Sequence, residues 1–339
     1  MVRRVWTVLG LAAAIAVAGC SQPAPPAASS PSASSPSTVV ATKPAQPAPP
    51  EKLAVEHLPN AYRIHERVIS GGLPDGAAGF AELEALGVKT VISVDGAKPD
   101  VALARQHGLR YVHLPHGYDG IPDSRAKELA KAVRDLEGLV YIHCHHGKHR
   151  SPAAAAVACV SAGLVLSEGA RGILTAAGTS DHYRGLYQAA ESARRFEDKL
   201  LDELQAEFPE TAPLAPMAEA MVALEHTHDH LKSFAAGNWQ RLPKQPDLDP
   251  AHEALLLREH FTELLRTEDA RQQPERFQQL LIESETAAMD LEAALRDRTA
   301  EGDYQTFITA ANTAFTRVSN HCTTCHRAYR DVPLSEKAK

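Results

Sequence analysis

Two sequence rhythms follow one another in this chain, and their order limits the folds open to it. From about residue 55 to 200, short β-branched runs alternate with helix-forming stretches. Lys89–Val94, Leu109–Leu114 and Leu139–His143 read as buried strands, and Ala77–Leu86, Asp100–His107 and Ser124–Leu136 as helices among them. That alternation calls for a mostly parallel central sheet flanked by helices. From about Ala215 onward the strand signal stops. Met217–Phe234, Pro250–Leu265, Pro274–Arg296 and Tyr304–Arg330 are long amphipathic stretches separated by prolines and glycines, a pattern suited to a four-helix bundle. The expected organisation is an α/β domain over 55–206, a proline-containing linker over 207–216, and an all-α four-helix bundle over 217–332. At 339 residues the chain has room for both, taking roughly 100–200 residues per domain.

Composition narrows the function classes. A hydrophobic share of 44% excludes a wholly disordered chain. A net charge of −7 without a basic block argues against a nucleic-acid partner. Five scattered cysteines do not make a disulfide framework.

The first twenty residues read as an address. Arg3 and Arg4 precede an apolar run, Val5–Ala18, that is shorter than the ~20 residues of a spanning helix. It ends in Val17-Ala18-Gly19-Cys20, which resembles the lipobox of bacterial lipoproteins. That resemblance implies cleavage before Cys20, lipidation of Cys20, and a membrane partner through the anchor, with the protein on the periplasmic side. Ser21 favours the outer membrane. An ordinary cleaved signal or an uncleaved anchor is the alternative. Residues 21–54 then form a tether rich in Pro, Ala and Ser, too poor in core-forming side chains to fold alone.

The third strand runs into His143-Cys144-His145-His146-Gly147-Lys148-His149-Arg150-Ser151 and a helical stretch starting near Pro152. A loop between a strand end and a helix N-terminus directs backbone N–H groups inward, and with the helix dipole these cradle an anion and favour an anionic, nucleophilic sulfur at Cys144. Gly147 permits the tight turn. Arg150 can grip two phosphoryl oxygens, and Ser151 is placed to donate to the sulfur as it leaves. These residues resemble the H-C-x5-R-[ST] signature of cysteine-dependent phosphatases of the dual-specificity and tyrosine type, over about residues 58–180. The departure is Pro152, where a second glycine commonly follows. The resemblance implies catalytic roles for Cys144, Arg150, Ser151 and His143, and a general acid on an upstream loop. In His116-Gly-Tyr-Asp119-Gly-Ile-Pro122-Asp123 the acid is Asp119, with Asp123 kept as the second candidate because it also reads as a helix cap. His145, His146, Gly147, Lys148 and His149 would line the substrate. Their basic character fits charge tuning around one phosphate, or a polyanionic substrate. Cys159 reads as a small core residue, or as a redox partner of Cys144.

His321-Cys322-Thr-Thr-Cys325-His326 contains C-x-x-C-H, the attachment signature of c-type haem, with His326 as axial iron ligand. Phe307, Ala311, Phe315, Val318, Cys322 and Cys325 recur at spacings of four and three, so both cysteines continue the apolar stripe. With Tyr329 and Arg330 the motif resembles that of cytochrome c′ and its relatives. This implies covalent haem c, a distal position on the first bundle helix that Met221, Met217 or an apolar residue could fill, and a homodimer through the bundle. A thiol-redox pair and a zinc site using His321 are the competing readings. His226 and His230 read as a solvated face.

The expected function is an exported phosphatase that hydrolyses phosphomonoesters of a protein or small molecule via a phosphocysteine. It carries an appended haem domain for redox or gas sensing and has a redox partner. The rival is a haem electron carrier or gas-binding protein whose phosphatase-like domain only binds phosphoanions.

Overall fold

The computed structural model describes residues 49–297 and 304–337. The stretch 1–20 read as a signal, Cys20 as its expected lipidation site, and the expected tether as far as residue 48 lie outside the described residues. Strands β1 (Glu51–Lys52), β2 (Tyr62–His65), β3 (Val68–Gly71), β4 (Val88–Ser93), β5 (Arg110–His113) and β6 (Leu139–His143) form one six-stranded sheet in the order β1-β2-β3-β6-β4-β5. The four strands from β3 to β5 are parallel, while β1, β2 and β3 pair antiparallel, so the sheet is mixed. β1 falls inside the stretch read as tether: Glu51 and Lys52 are ordered by pairing with Arg63 and Tyr62.

Strand periodicity divides the core. Ile92, Val112, Val140 and Ile142 face α3 (Asp123–Asp135) and α4 (Arg150–Ser161), with Leu129, Val133 and Ala155 among the residues packed against them. Their neighbours Val91, Tyr111 and Tyr141 turn to the other face, where Phe80 and Leu83 of α1 (Gly76–Ala85) and Ala104 of α2 (Val101–Gln106) cover them. Helix α4 is buried along its whole length. Its alanines let it fit between the sheet on one side and α5 (Ala170–Ala176) and α6 (Arg184–Ser192) on the other. Asp123 does not cap α3. The cap position belongs to Pro122, and Asp123 opens the helix, paired with Lys127 one turn on at 2.5 Å.

The stretch read as a linker is docked. After α7 (Asp198–Glu203), the Pro209 carbonyl accepts the His113 N–H at 2.7 Å, and the Ala212 N–H donates to His113 Nδ1 at 3.0 Å. This covers the outer edge of β5, which would otherwise present open backbone groups.

Four long helices follow: α8 (Pro216–Ala236), α9 (Pro250–Arg266), α11 (Glu275–Arg296) and α12 (Tyr304–Cys325), with the short α10 (Glu268–Arg271) between the second and third. Helix α9 starts where its sequence says it should: Asp249 accepts the N–H groups of Ala251 and His252, and Pro250 takes the first helical position. Leu231, Phe234, Leu257, Phe261, Leu280, Leu291 and Val318 form one shared core. Trp239, which no local pattern marked, closes it. It is fully buried, and its indole N–H donates to Asn312 Oδ1 at 2.9 Å. No helix among the described residues is long and apolar enough to cross a membrane. From residue 49 on, the described residues cluster as a single compact unit, so the α/β and helical parts share contacts.

Candidate active site

β6 ends at His143, α4 begins at Arg150, and Cys144–His149 is the loop between them. His143 is buried and shares a 2.6 Å hydrogen bond with the Tyr111 hydroxyl, so it braces the loop from beneath. The loop's carbonyls are tied outward. His145 O accepts the Leu73 N–H at 3.1 Å, Gly147 O accepts Asn60 Nδ2 at 2.9 Å, and Lys148 O accepts the Thr179 hydroxyl at 2.6 Å. In a planar trans peptide the N–H of the next residue points the opposite way. The amides of His146, Lys148 and His149 are thereby turned inward, which is the donor arrangement an anion needs. Gly147 has φ +69°, and a Cβ there would run into the backbone of Gly71 and Gly72, so both its conformation and its space require glycine.

Cys144 lies in this cradle with 3% of its surface exposed, its Sγ 3.3 Å from Ser151 Oγ. The Ser151 hydroxyl also donates to Gly71 O at 2.9 Å. Its proton therefore has two acceptors, the carbonyl and an anionic sulfur. Arg150 is buried, its guanidinium lies 4.6 Å from the centre of the Tyr118 ring, and its Nε has no hydrogen-bond partner among the described residues. A buried guanidinium N–H without an acceptor is costly unless a ligand supplies one.

The loop is less cationic than its composition suggested. Burial, with neighbouring positive groups, lowers His146 from its ordinary value and brings His149 down to about 4. Both are neutral at pH 7 and offer ring nitrogens rather than charge. Tyr118, Tyr183 and His149 form a ring cluster beside Arg150, with centroids 4.6–6.3 Å apart.

Asp119 is in the loop before α3, next to Tyr118, and its carboxylate Oδ2 is held by Lys337 Nζ at 2.6 Å. Its backbone rests on Gly185 of α6, where a Cβ would collide with the Asp119 peptide. Asp123, the second candidate, is a surface residue of α3. Cys159 is fully buried in α4, and burial raises its thiol to about 12, the behaviour of an inert core residue.

Sequence reasoning missed Asn60 and Thr179. Asn60 has φ +52°, and its side-chain amide donates both to Gly147 O and to Ala177 O, each at 2.9 Å. The available signal was an asparagine in a Pro-Asn turn, a residue that tolerates left-handed backbone. Replacement by Ala strips two carbonyls of their donor and strains the turn. We expect Asn60→Ala to lose about 2–4 kcal/mol in denaturant unfolding and to weaken phosphate binding.

In the helical part, α12 ends at Cys325 and passes into a wider turn, His326–Arg330. Cys322 and Cys325 are free thiols on the core-facing side, and burial raises both to about 11. His326 is lowered to about 3 by burial, so its imidazole is neutral. Met217, Met221 and Phe315 pack partly buried against the same core, and Tyr329 stacks edge-on to Phe277. His230 is bonded to Glu253 at 2.8 Å, and His321 lies 3.6 Å from Glu283. No group of three or more His, Cys, Asp or Glu among the described residues could hold a bare metal ion. Two free thiols one turn apart, a neutral imidazole beside them and apolar surroundings suit a covalently held haem better than zinc.

No protein-family profile matches the chain. Over 100 residues it is 33% identical to the dual specificity protein phosphatase TpbA of Pseudomonas aeruginosa strain UCBPP-PA14, a match covering 29% of this chain and 45% of the relative. The chain thus spans less than half the length of the curated relative it matches. Among solved structures, that of P. aeruginosa TpbA is 27% identical, covering 43% of this chain and 91% of that one at a TM-score of 0.38. A variant of the same protein in complex with pTyr gives 26% and 0.37, covering 42% of this chain and 90% of that one. A putative phosphatase (DUF442) from Shewanella putrefaciens CN-32 gives 18% and 0.34, covering 40% of this chain and 89% of that one.

Proposed function

We propose that the α/β part hydrolyses phosphomonoesters, with a phosphorylated protein or a small aryl phosphate as substrate. The observation that carries this is the loop over Cys144, whose outward-tied carbonyls turn its amides inward beside the buried Arg150 guanidinium, a donor set suited to a phosphoryl group. The 33% identity to a dual specificity protein phosphatase supports the same reading. The ring cluster of Tyr118, Tyr183 and His149 beside Arg150 suits an aromatic leaving group.

In this reading the Cys144 sulfur attacks phosphorus, the bond to the leaving oxygen breaks, and Asp119 supplies that oxygen with a proton. Arg150 holds two phosphoryl oxygens through the pentacoordinate transition state, aided by the inward amides. Water then attacks the phosphocysteine while the Asp119 carboxylate accepts its proton. The P–S bond breaks, with the Ser151 hydroxyl donating to the departing sulfur. His143, neutral and locked to Tyr111, positions the loop without exchanging protons.

The helical part, read as a four-helix bundle, would hold haem c through thioethers to Cys322 and Cys325, with His326 as an iron ligand and Met221 or Met217 as the candidate for a further one. That group supplies one-electron exchange or binding of a small gas. The chain's residues set its limits: buried thiols for attachment and an imidazole kept neutral for coordination. Export and a lipid anchor at Cys20 place the enzyme on the periplasmic side of a membrane, where haem attachment also occurs.

The test is hydrolysis of phenyl phosphate by reduced protein and by Asp119→Asn. The wild type should turn over, and the variant should lose about 10²–10³-fold in kcat, the weight of one general acid. Absence of turnover in wild type with its thiol confirmed free would overturn the reading.

A further inference from the structure

The segment after α12 returns to the acid loop and binds it at several points. The Leu334 N–H donates to the Asp119 carbonyl at 2.9 Å, and the Leu334 side chain lies over Gly120. Lys337 Nζ sits 2.6 Å from Asp119 Oδ2, with the aspartate side chain 17% exposed. Two further contacts anchor the segment to α6. Glu336 receives both Arg184 terminal nitrogens, at 2.7 and 2.8 Å, and the Ser335 hydroxyl donates to Gln188 at 2.9 Å. At the near end Arg330 lies 4.1 Å over the Tyr118 ring, the same ring that Arg150 covers. The path is fixed at its origin by the turn that carries His326, whose carbonyl accepts the Asp331 N–H at 2.8 Å.

These contacts fall on the one carboxylate that the proposed chemistry requires in two roles. As an acid, Asp119 must carry a proton to the leaving oxygen, and as a base it must take one from water. An ammonium against Oδ2 opposes both. It holds the side chain through a charge-assisted hydrogen bond that must be released before Oδ2 can deliver a proton or accept one. The strap also links the loop backbone to α6, through Leu334 on one side and Glu336 and Ser335 on the other, so the acid loop moves only as the strap allows.

We propose that residues 331–337 form an internal brake, with Lys337 as the positioning residue that holds Asp119 out of use. The inference rests on the phosphatase reading and names how that site is regulated. The helical part thereby controls the α/β site through segment 331–337, and turnover rises when that segment lifts.

The experiment uses the full chain and compares wild type, Lys337→Ala and Arg184→Ala, the last releasing the far anchor without touching the acid loop. Phenyl phosphate, which needs leaving-group protonation, is set against 2,4-dinitrophenyl phosphate, whose leaving group departs without it. Lys337→Ala should raise kcat on phenyl phosphate about fivefold, the weight of one part-exposed ion pair, with little change on the activated ester. Arg184→Ala should move in the same direction. In an Asp119→Asn background neither substitution should alter the rate. A fall in kcat, an equal change on both esters, or a gain that survives Asp119→Asn would overturn the brake while leaving the phosphatase intact. Absence of Cys144-dependent turnover in all three proteins would instead remove the reading on which the brake depends.

Discussion

Cys144→Ser is expected to lower aryl-phosphate turnover by at least ~10⁴-fold while leaving the fold and phosphate binding in place. The hydroxyl oxygen is a far weaker nucleophile than the sulfur it replaces, and a serine phosphoester lacks the labile P–S bond that makes the second step easy. The cradle itself does not depend on sulfur. Its amides are turned inward by Asn60, Thr179 and Leu73, its glycine is held by the closeness of Gly71 and Gly72, and Arg150 keeps its unpartnered Nε. The variant should therefore bind inorganic phosphate or a phosphotyrosine peptide with wild-type affinity by calorimetry. Retention of turnover within tenfold of wild type would rule out the phosphocysteine route. Loss of binding together with turnover would mean that Cys144 holds the loop's shape rather than attacking. A wild type that binds phosphate but never turns over would make the domain a phosphoanion receptor.

What the sequence made legible follows from the range of the interactions involved. β4, β5 and β6 and the helices between them were placed to within a residue or two because each alternates apolar faces that the two-layer packing uses. The loop over Cys144 was legible as a unit because strand, loop and helix are consecutive in the chain. β2 was not, since Tyr62–His65 mixes polar and apolar residues and is only half-buried beside the short β1. The supports of the loop were invisible for a different reason. Asn60 and Gly147 are 87 positions apart, and Asp119 and Lys337 are 218 apart, with no pattern in either neighbourhood to mark the pairing. Composition misled at the histidines. Counting them as charges gave a basic loop, whereas burial leaves His146 and His149 neutral.

Replacing Cys322 and Cys325 together by Ala is expected to abolish all haem that survives denaturation, an all-or-none effect read by haem staining after denaturing electrophoresis. Each single replacement should leave one thioether and a shifted pyridine haemochrome spectrum. The protein must be made in a host that attaches haem outside the cytoplasm. The argument lies in how α12 presents the pair. Val318, Cys322 and Cys325 continue one stripe into the core, so both sulfurs face the apolar interior rather than solvent, and neither is spent in a disulfide. A redox-active thiol pair would be expected at an accessible position with sulfur easily ionised, whereas burial here raises both thiols. His326→Ala separates attachment from coordination. It should keep the covalent haem and lose the axial imidazole, changing the spectrum without releasing the group. Met221→Leu then reads the far side. Conversion of a low-spin to a high-spin spectrum would identify Met221 as the sixth ligand and an electron-transfer site, while an unchanged high-spin spectrum would leave the iron open for a gas. Zinc in place of iron in the purified wild type would overturn the haem reading outright. It would also leave the brake on Asp119 untouched, because the contacts of Leu334, Glu336 and Lys337 are made by the polypeptide alone.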